Sequence, residues 1–244
     1  MTLASDLPKN LKIVVAEFPK SGGSWLSSML AHSLGIAVRD IYVNNDFKAF
    51  DISKHPWYEG NSSYGLTESC IIKSHEMPDS KLHNFEAHFI HMIRDGRDVI
   101  VSKYFYEKDF CVKNKIIKEF KYTLDEYIEK TSREWAEYIS AWKGHNVITC
   151  SYENLLNDAL KELKRVFSLL SISVAEETIE TAIAANTKEK FRKSLSKTFK
   201  FNTFVRKGIS GDWKNHFNEK HKAIFKHNAG ELLIKLGYET NLDW

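Results

Sequence analysis

The chain is short of the features that would place it in several broad classes. Its 244 residues include only three cysteines, Cys70, Cys111 and Cys150, far apart and without Cys-x-x-Cys or Cys/His ligand spacing. An odd, scattered set argues against a disulfide framework and reads as free thiols in a reducing compartment. Net charge is equally scant: 35 Lys plus Arg against 32 Asp plus Glu leaves +3. That balance gives no general attraction to nucleic acid or to an anionic membrane, so any basic function must be local. No apolar run reaches bilayer-spanning length, and the first ten residues hold no long apolar stretch. A soluble, cytoplasmic protein is expected, with 1–10 as a flexible N-terminus. Internal repeats, low-complexity tracts and interdomain linkers are also lacking. What remains, with 43% hydrophobic residues, is enough for a proper core, and one domain over 1–244 is expected.

The most informative stretch is Phe18-Pro19-Lys20-Ser21-Gly22-Gly23-Ser24-Trp25. It follows the apolar run Ile13-Val14-Val15-Ala16, which reads as a buried strand, and opens into helical spacing over about 24–34, with Gly35 as a natural stop. Two adjacent glycines let backbone approach a ligand, and the amides at a helix start point back into the loop. Lys20 adds a positive charge, so the loop suits a phosphate or a sulfate ester.

Further strands are predicted at Cys70-Ile71-Ile72-Lys73, over 87–93 and over 146–150. Helices are predicted over 99–106, 124–142, 159–170 (capped by Asn157 or Asp158), 175–185 (capped by Ser173) and 219–236, the last stopped by Gly237. The stretch 36–69 has no clear period, and its aromatics Tyr42, Phe47, Phe50, Trp57, Tyr58 and Tyr64 read as part of a substrate wall. The segment 107–122 is ambiguous. Strands alternating with helices predict an α/β fold with a central, mostly parallel sheet flanked by helices. In such sheets the ligand lies beyond the carboxyl ends of the strands. Lys20, Lys73, Arg94 and Tyr152 each follow a predicted strand, so they should converge on one crevice.

The order of residues in the loop separates it from the ATPase phosphate loop, Gly-x-x-x-x-Gly-Lys-Ser/Thr, because Lys20 precedes the glycines. The whole instead resembles the cytosolic-type sulfotransferases that use 3′-phosphoadenosine 5′-phosphosulfate (PAPS). The loop is similar to that family's Tyr-Pro-Lys-Ser-Gly-Thr-Thr-Trp. Arg94 with Asp98, Val101, Ser102 and Tyr104 resembles its 3′-phosphate segment, and Arg206-Lys207-Gly208-Ile209-Ser210-Gly211-Asp212-Trp213-Lys214-Asn215-His216-Phe217 its Arg-Lys-Gly-x-x-Gly-Asp-Trp-Lys-Asn-x-Phe signature. The resemblance implies a P-loop-like nucleotide-binding fold and transfer of a sulfuryl group to a hydroxyl, or less readily an amine, of a small organic acceptor. The product nucleotide would be adenosine 3′,5′-bisphosphate (PAP).

Chemistry and resemblance agree that such a donor needs two anion sites. One is Lys20 and Ser21 with the amides of Gly22, Gly23 and Ser24; the other uses Arg94 and Ser102, with Arg206, Lys207 and Gly208 closing from the C-terminal segment. Trp25, Tyr152 and Thr187 are candidates for the adenine. His75, in Lys73-Ser74-His75-Glu76-Met77-Pro78, matches the family histidine that takes the acceptor's proton. Lys20 and Lys73 would stabilise developing charge, with Ser102 counted beside them. No metal is called for: Asp95, Asp98 and Asp212 read as turn, cap and arginine-positioning residues. Three departures stand out. Gly23 replaces a threonine, Lys188-Glu189-Lys190 offers no aromatic for the adenine, and Asn218-Glu219 replaces the start of a dimer motif, so oligomeric state does not follow from kinship. A P-loop kinase and a nucleotide-binding module without catalysis are the competing readings.

Overall fold

The computed structural model describes residues 7–40, 69–80, 86–190, 193 and 206–244. At its centre is strand β1, Lys12–Glu17, buried along its whole length. Chain order continues with helix α1 (Gly23–Leu34), β2 (Ala37–Asp40), β3 (Cys70–Ser74), β4 (His88–Ile93), α2 (Gly96–Phe105) and α3 (Leu124–Ala141). Strand β5 (Ile148–Ser151), α4 (Tyr152–Asn157), α5 (Ala159–Leu169), α6 (Glu176–Ala185) and α7 (Glu219–Lys235) follow. The strands form one sheet in the order β2-β3-β1-β4-β5, and every neighbouring pair is parallel. Apolar runs such as Ile13-Val14-Val15-Ala16 suit a sheet covered on both faces.

The alternation of side chains along β1 divides the core. Val14 and Ala16 join a cluster that takes in Val99, Tyr127, Trp135 and Phe225 from α2, α3 and α7. Ile13 and Val15 join another with Leu26, Met29, Val166 and Ile179 from α1, α5 and α6. The sheet is therefore sandwiched by helices, as the sequence pattern predicts. Among the described residues no helix is long and apolar enough to cross a membrane.

Register carries the functional consequence. Ala16 lies opposite Ser74 on β3 and His91 on β4, so β1, β3 and β4 end together. Strand order reverses at β1, and parallel sheets open their crevice at such a switch point. The loop after β1, His75 after β3 and Arg94 after β4 are thereby delivered to one edge.

Some expectations needed correction. Strand β2 occupies the start of the stretch read as irregular; it has four residues and, among the described residues, pairs with β3 alone, and Arg39 and Asp40 hide its pattern. The rest of that stretch, 41–68, with its candidate wall aromatics, lies outside the described residues, as do 1–6 of the N-terminal segment. The ambiguous segment begins with a π-helical turn, Tyr106–Cys111, which continues α2. Helix α6 starts from Ala175, which makes no side-chain cap bond, rather than from Ser173. Asp158 does cap α5, accepting from the Lys161 amide, and Gly35 ends α1 in the left-handed region. The three cysteines are free and buried.

Candidate active site

The loop after β1 has an unusual backbone. Lys20 has φ 79° and Gly22 φ 104°. The first costs strain in a residue with a Cβ, which a functional loop retains only when its surroundings enforce it. Gly22 is required twice over, because a Cβ there would meet the Tyr152 ring at 2.7 Å. Glu17, the last residue of β1, reaches under the loop, and its Oε2 accepts the Gly23 amide N–H at 2.5 Å. Ser21 is fully buried beneath the loop, and its Oγ has no partner among the described residues.

A cavity of about 1050 Å³ of empty space, partly open to solvent, lies over these strand ends. Its wall includes Lys20, Gly22, Ser24 and Trp25 from the loop, Lys73 and His75 after β3, and Arg94 and Ser102 around α2. Tyr152, Lys188, Arg206, Lys207 and Gly208 complete it. The sequence-predicted set is thus largely brought together from five distant parts of the chain. Ser21, Gly23 and Thr187 do not line the cavity; Thr187 is exposed, and its Oγ1 accepts from the Lys190 amide at 3.4 Å. Glu17 and Tyr106 are wall residues that sequence reasoning missed, and Lys188, noted there as a departure from an aromatic, also lines the wall. The position of Glu17, directly after an apolar strand and before the loop, was the available signal.

Burial drives the Lys20 ammonium down to about 7, against the pull of Glu17 and with the push of Lys73 and Arg94. Its Nζ stands 4.2 Å from the centre of the Tyr106 ring, a cation–π contact that partly offsets the lost hydration. Arg94 ties the loop to the rest of the site. Its Nη1 donates to the Lys20 carbonyl at 3.2 Å and its Nη2 to the Ile209 carbonyl at 3.0 Å. The guanidinium lies 4.3 Å over the Tyr152 ring, and its buried Nε has no hydrogen-bond partner among the described residues. Arg94 itself lines the cavity, where a guanidinium suits an anion.

His75 is held in one tautomer. Its Nδ1 is 2.9 Å from the Glu17 carbonyl, which can only accept, so Nδ1 carries the proton. Nε2 is then the acceptor, 3.1 Å from Lys73 Nζ. Burial first, and then the Lys73 charge, hold the imidazole well below its ordinary value, so the ring is neutral at physiological pH.

The C-terminal segment is fastened through Asp98, which accepts from the Gly211 amide at 2.6 Å and the Trp213 amide at 2.9 Å. Burial raises the Asp98 carboxyl, while Arg94 and these amides pull it back down. Asp212, also buried, accepts from Arg206, from Lys207 at 2.6 Å and from Asn215 at 3.0 Å. Burial pushes its carboxyl up, but those donors outweigh it and hold it well below the usual carboxylate range. Trp25 donates through Nε1 to the Asn186 carbonyl at 2.8 Å and meets the Tyr152 ring edge-on at 6.0 Å. Among the described residues, no group of three or more His, Cys, Asp or Glu has the arrangement of a metal site.

A parallel sheet with an anion loop after its central strand, ringed by further cations at neighbouring strand ends, defines an α/β protein of the P-loop-like class. The chain belongs to the sulfotransferase domain family, whose model matches residues 11–237. It is 26% identical to human sulfotransferase 2A1, with 90% of this chain and 85% of that protein covered. It is 22% identical to a rabbit (Oryctolagus cuniculus) amine sulfotransferase, over 94% of this chain and 84% of the relative. Among solved structures, mouse sulfotransferase SULT7A1 in complex with PAP matches with a TM-score of 0.72 and 20% identity, covering 97% of this chain and 92% of that one. Retinol dehydratase with androsterone and PAP matches at 0.67 and 17% identity, over 95% and 83% of the two chains. This chain is accordingly a sulfotransferase, an enzyme of sulfuryl transfer.

Proposed function

We propose that the enzyme takes its sulfuryl group from PAPS and delivers it to a hydroxyl of a small organic acceptor. The observation that carries this reading is the convergence of Lys20, Lys73, His75, Arg94, Arg206 and Lys207 on one cavity. The residues fit the donor: the Lys20 loop and the group of Arg94, Ser102, Arg206 and Lys207 offer two separate anion positions, as a nucleotide with phosphates at both ends requires. Lys20 and the amides of the loop would hold the 5′ end; Arg94, Ser102, Arg206 and Lys207 would hold the 3′-phosphate. Trp25 and Tyr152 border the space for the base. When bound, PAPS supplies the sulfuryl group.

The chain's own contribution is alignment, charge stabilisation and one proton transfer. His75 is a neutral imidazole with Nε2 as its acceptor, which suits it to take the acceptor's hydroxyl proton. A neutral base is needed because a hydroxyl is a poor nucleophile until its proton is withdrawn; an amine needs that help less. Lys73 also lines the cavity and would stabilise negative charge on the sulfuryl oxygens rather than on the histidine. The buried, free thiols favour a reducing, cytoplasmic setting. Ser21 and Gly23 would act from beneath the loop, by shaping it.

The test is incubation with PAPS and a panel of phenols, aliphatic alcohols and amines, read by mass spectrometry for a sulfate adduct. Adducts on alcohols or phenols, lost in His75→Ala with PAP binding kept, support the reading. Adducts on amines alone would overturn the acceptor assignment, and unchanged transfer by His75→Ala would overturn the role of His75.

A further inference from the structure

A carboxylate stands inside the anion loop. Glu17 is 2% exposed, lines the cavity, and accepts the Gly23 amide, the first N–H of α1, at 2.5 Å. A Cβ built on Gly23 would lie 2.5 Å from Glu17 Cδ and 2.8 Å from Oε1. The carboxylate therefore fills the volume that a side chain at position 23 would need. Position 23 is where this loop departs from the threonine of the family pattern, so Glu17 and Gly23 form one matched unit. Its chemistry is distinctive: the first amide of the helix that opens from the loop already holds a carboxylate, in a cavity wall shared with Lys20, Lys73 and Arg94.

We propose that Glu17 is a specificity residue of the donor site, a resident anion that competes with the 5′-phosphate end of the nucleotide for the loop and weakens that end selectively. This rests on the donor reading above. A negative charge fixed beside the 5′ subsite opposes a second one arriving there, whereas the 3′ subsite around Arg206 and Lys207 is built on other elements. Nucleotide affinity is then set partly by a charge that contributes nothing to holding the base or the 3′-phosphate.

The experiment is calorimetric titration of wild type and Glu17→Gln with PAP and with adenosine 3′-monophosphate, which lacks the 5′ group. The amide keeps the shape and an acceptor for the Gly23 N–H but removes the charge. PAP should bind Glu17→Gln roughly tenfold more tightly, the order expected of one nearby unit charge under partial screening, with adenosine 3′-monophosphate unchanged. A second pair of variants tests the matched unit: Gly23→Thr alone should lose PAP binding by about tenfold or more through overpacking, and Glu17→Thr with Gly23→Thr should recover it to at least the wild-type level. Unchanged or weaker PAP binding in Glu17→Gln, equal tightening of both nucleotides, or no recovery in the double variant would each overturn the role given to Glu17. If wild type does not bind PAP at all, the donor reading falls and this inference with it.

Discussion

Lys73 Nζ lies 3.1 Å from His75 Nε2, while the opposite ring nitrogen faces the Glu17 carbonyl at 2.9 Å. The imidazole is thus pinned between a fixed acceptor and a cation. Protonating Nε2 would replace a favourable contact by a repulsive one, which, added to burial, keeps the ring neutral. His75 is in this way prepared as a base before any acceptor arrives.

The first prediction concerns that pair. An ordinary histidine base gives an acid limb near 6.5 in the profile of kcat/KM against pH. With the His75 pKa held well below 6.5, the limb should lie at correspondingly lower pH. Lys73→Met removes the repulsive charge and should move the limb up, toward the ordinary histidine value, while lowering the rate. A profile of unchanged shape in Lys73→Met would contradict the pairing.

Lys20 gives a second pH signature. Its folded value of about 7 lies below the ordinary lysine value of 10.5, so between these limits the free site holds Lys20 neutral. A bound phosphate favours the ammonium, so binding must take up a proton across that window. PAP affinity should fall as pH rises above about 7, by at most roughly tenfold per unit. In Lys20→Met, binding should be weaker and this component of the slope lost. The same shift acts on folding: the unfolded chain binds the extra proton between 7 and 10.5, so the Lys20 contribution makes stability rise with pH there.

Asp98 anchors the C-terminal segment through two amides, those of Gly211 and Trp213. An asparagine carboxamide has one acceptor oxygen and would leave at least one of these amides without its carboxylate. Asp98→Asn should cost about 1–3 kcal/mol in denaturant unfolding and weaken PAP binding, because Arg206 and Lys207 lie on the segment it fastens. Unchanged stability and affinity would show that the segment is held by other means.

Packing between α2 and α3 can be tested without any ligand. A Cβ on Gly96 would lie 2.7 Å from the ring of Trp135, a fully buried side chain in the cluster on that face of the sheet. Gly96→Ala should therefore destabilise by about 1–3 kcal/mol through overpacking, although alanine favours a helix. A rise in Tm would mean that Trp135 has room to move.

Strands β1, β3, β4 and β5 were legible because their apolar runs are short, buried and bounded by polar residues. Lys73 and Arg94 were legible as sites because charges at the ends of such strands have few structural uses. Strand β2 was hidden, since only Ala37 and Val38 are apolar and the sheet edge imposes no pattern on Arg39 and Asp40. The position of Glu17 beside the loop could be read, but its bond to Gly23 could not, because that bond crosses a turn that depends on left-handed backbone at Lys20 and Gly22. The His75 tautomer is set by a backbone carbonyl, which no residue pattern records. Tyr106 was missed for a related reason: the π-helical turn that carries it into the cavity wall breaks helical periodicity.

The central claim is that the cavity over β1, β3 and β4 binds a nucleotide through separate 5′ and 3′ anion subsites. Its most direct measurement is calorimetric titration of the wild-type protein with PAP and with ATP, repeated on Arg94→Ala. One PAP per chain, bound more tightly than ATP and lost in Arg94→Ala, is the predicted result; ATP binding with no PAP binding would contradict it.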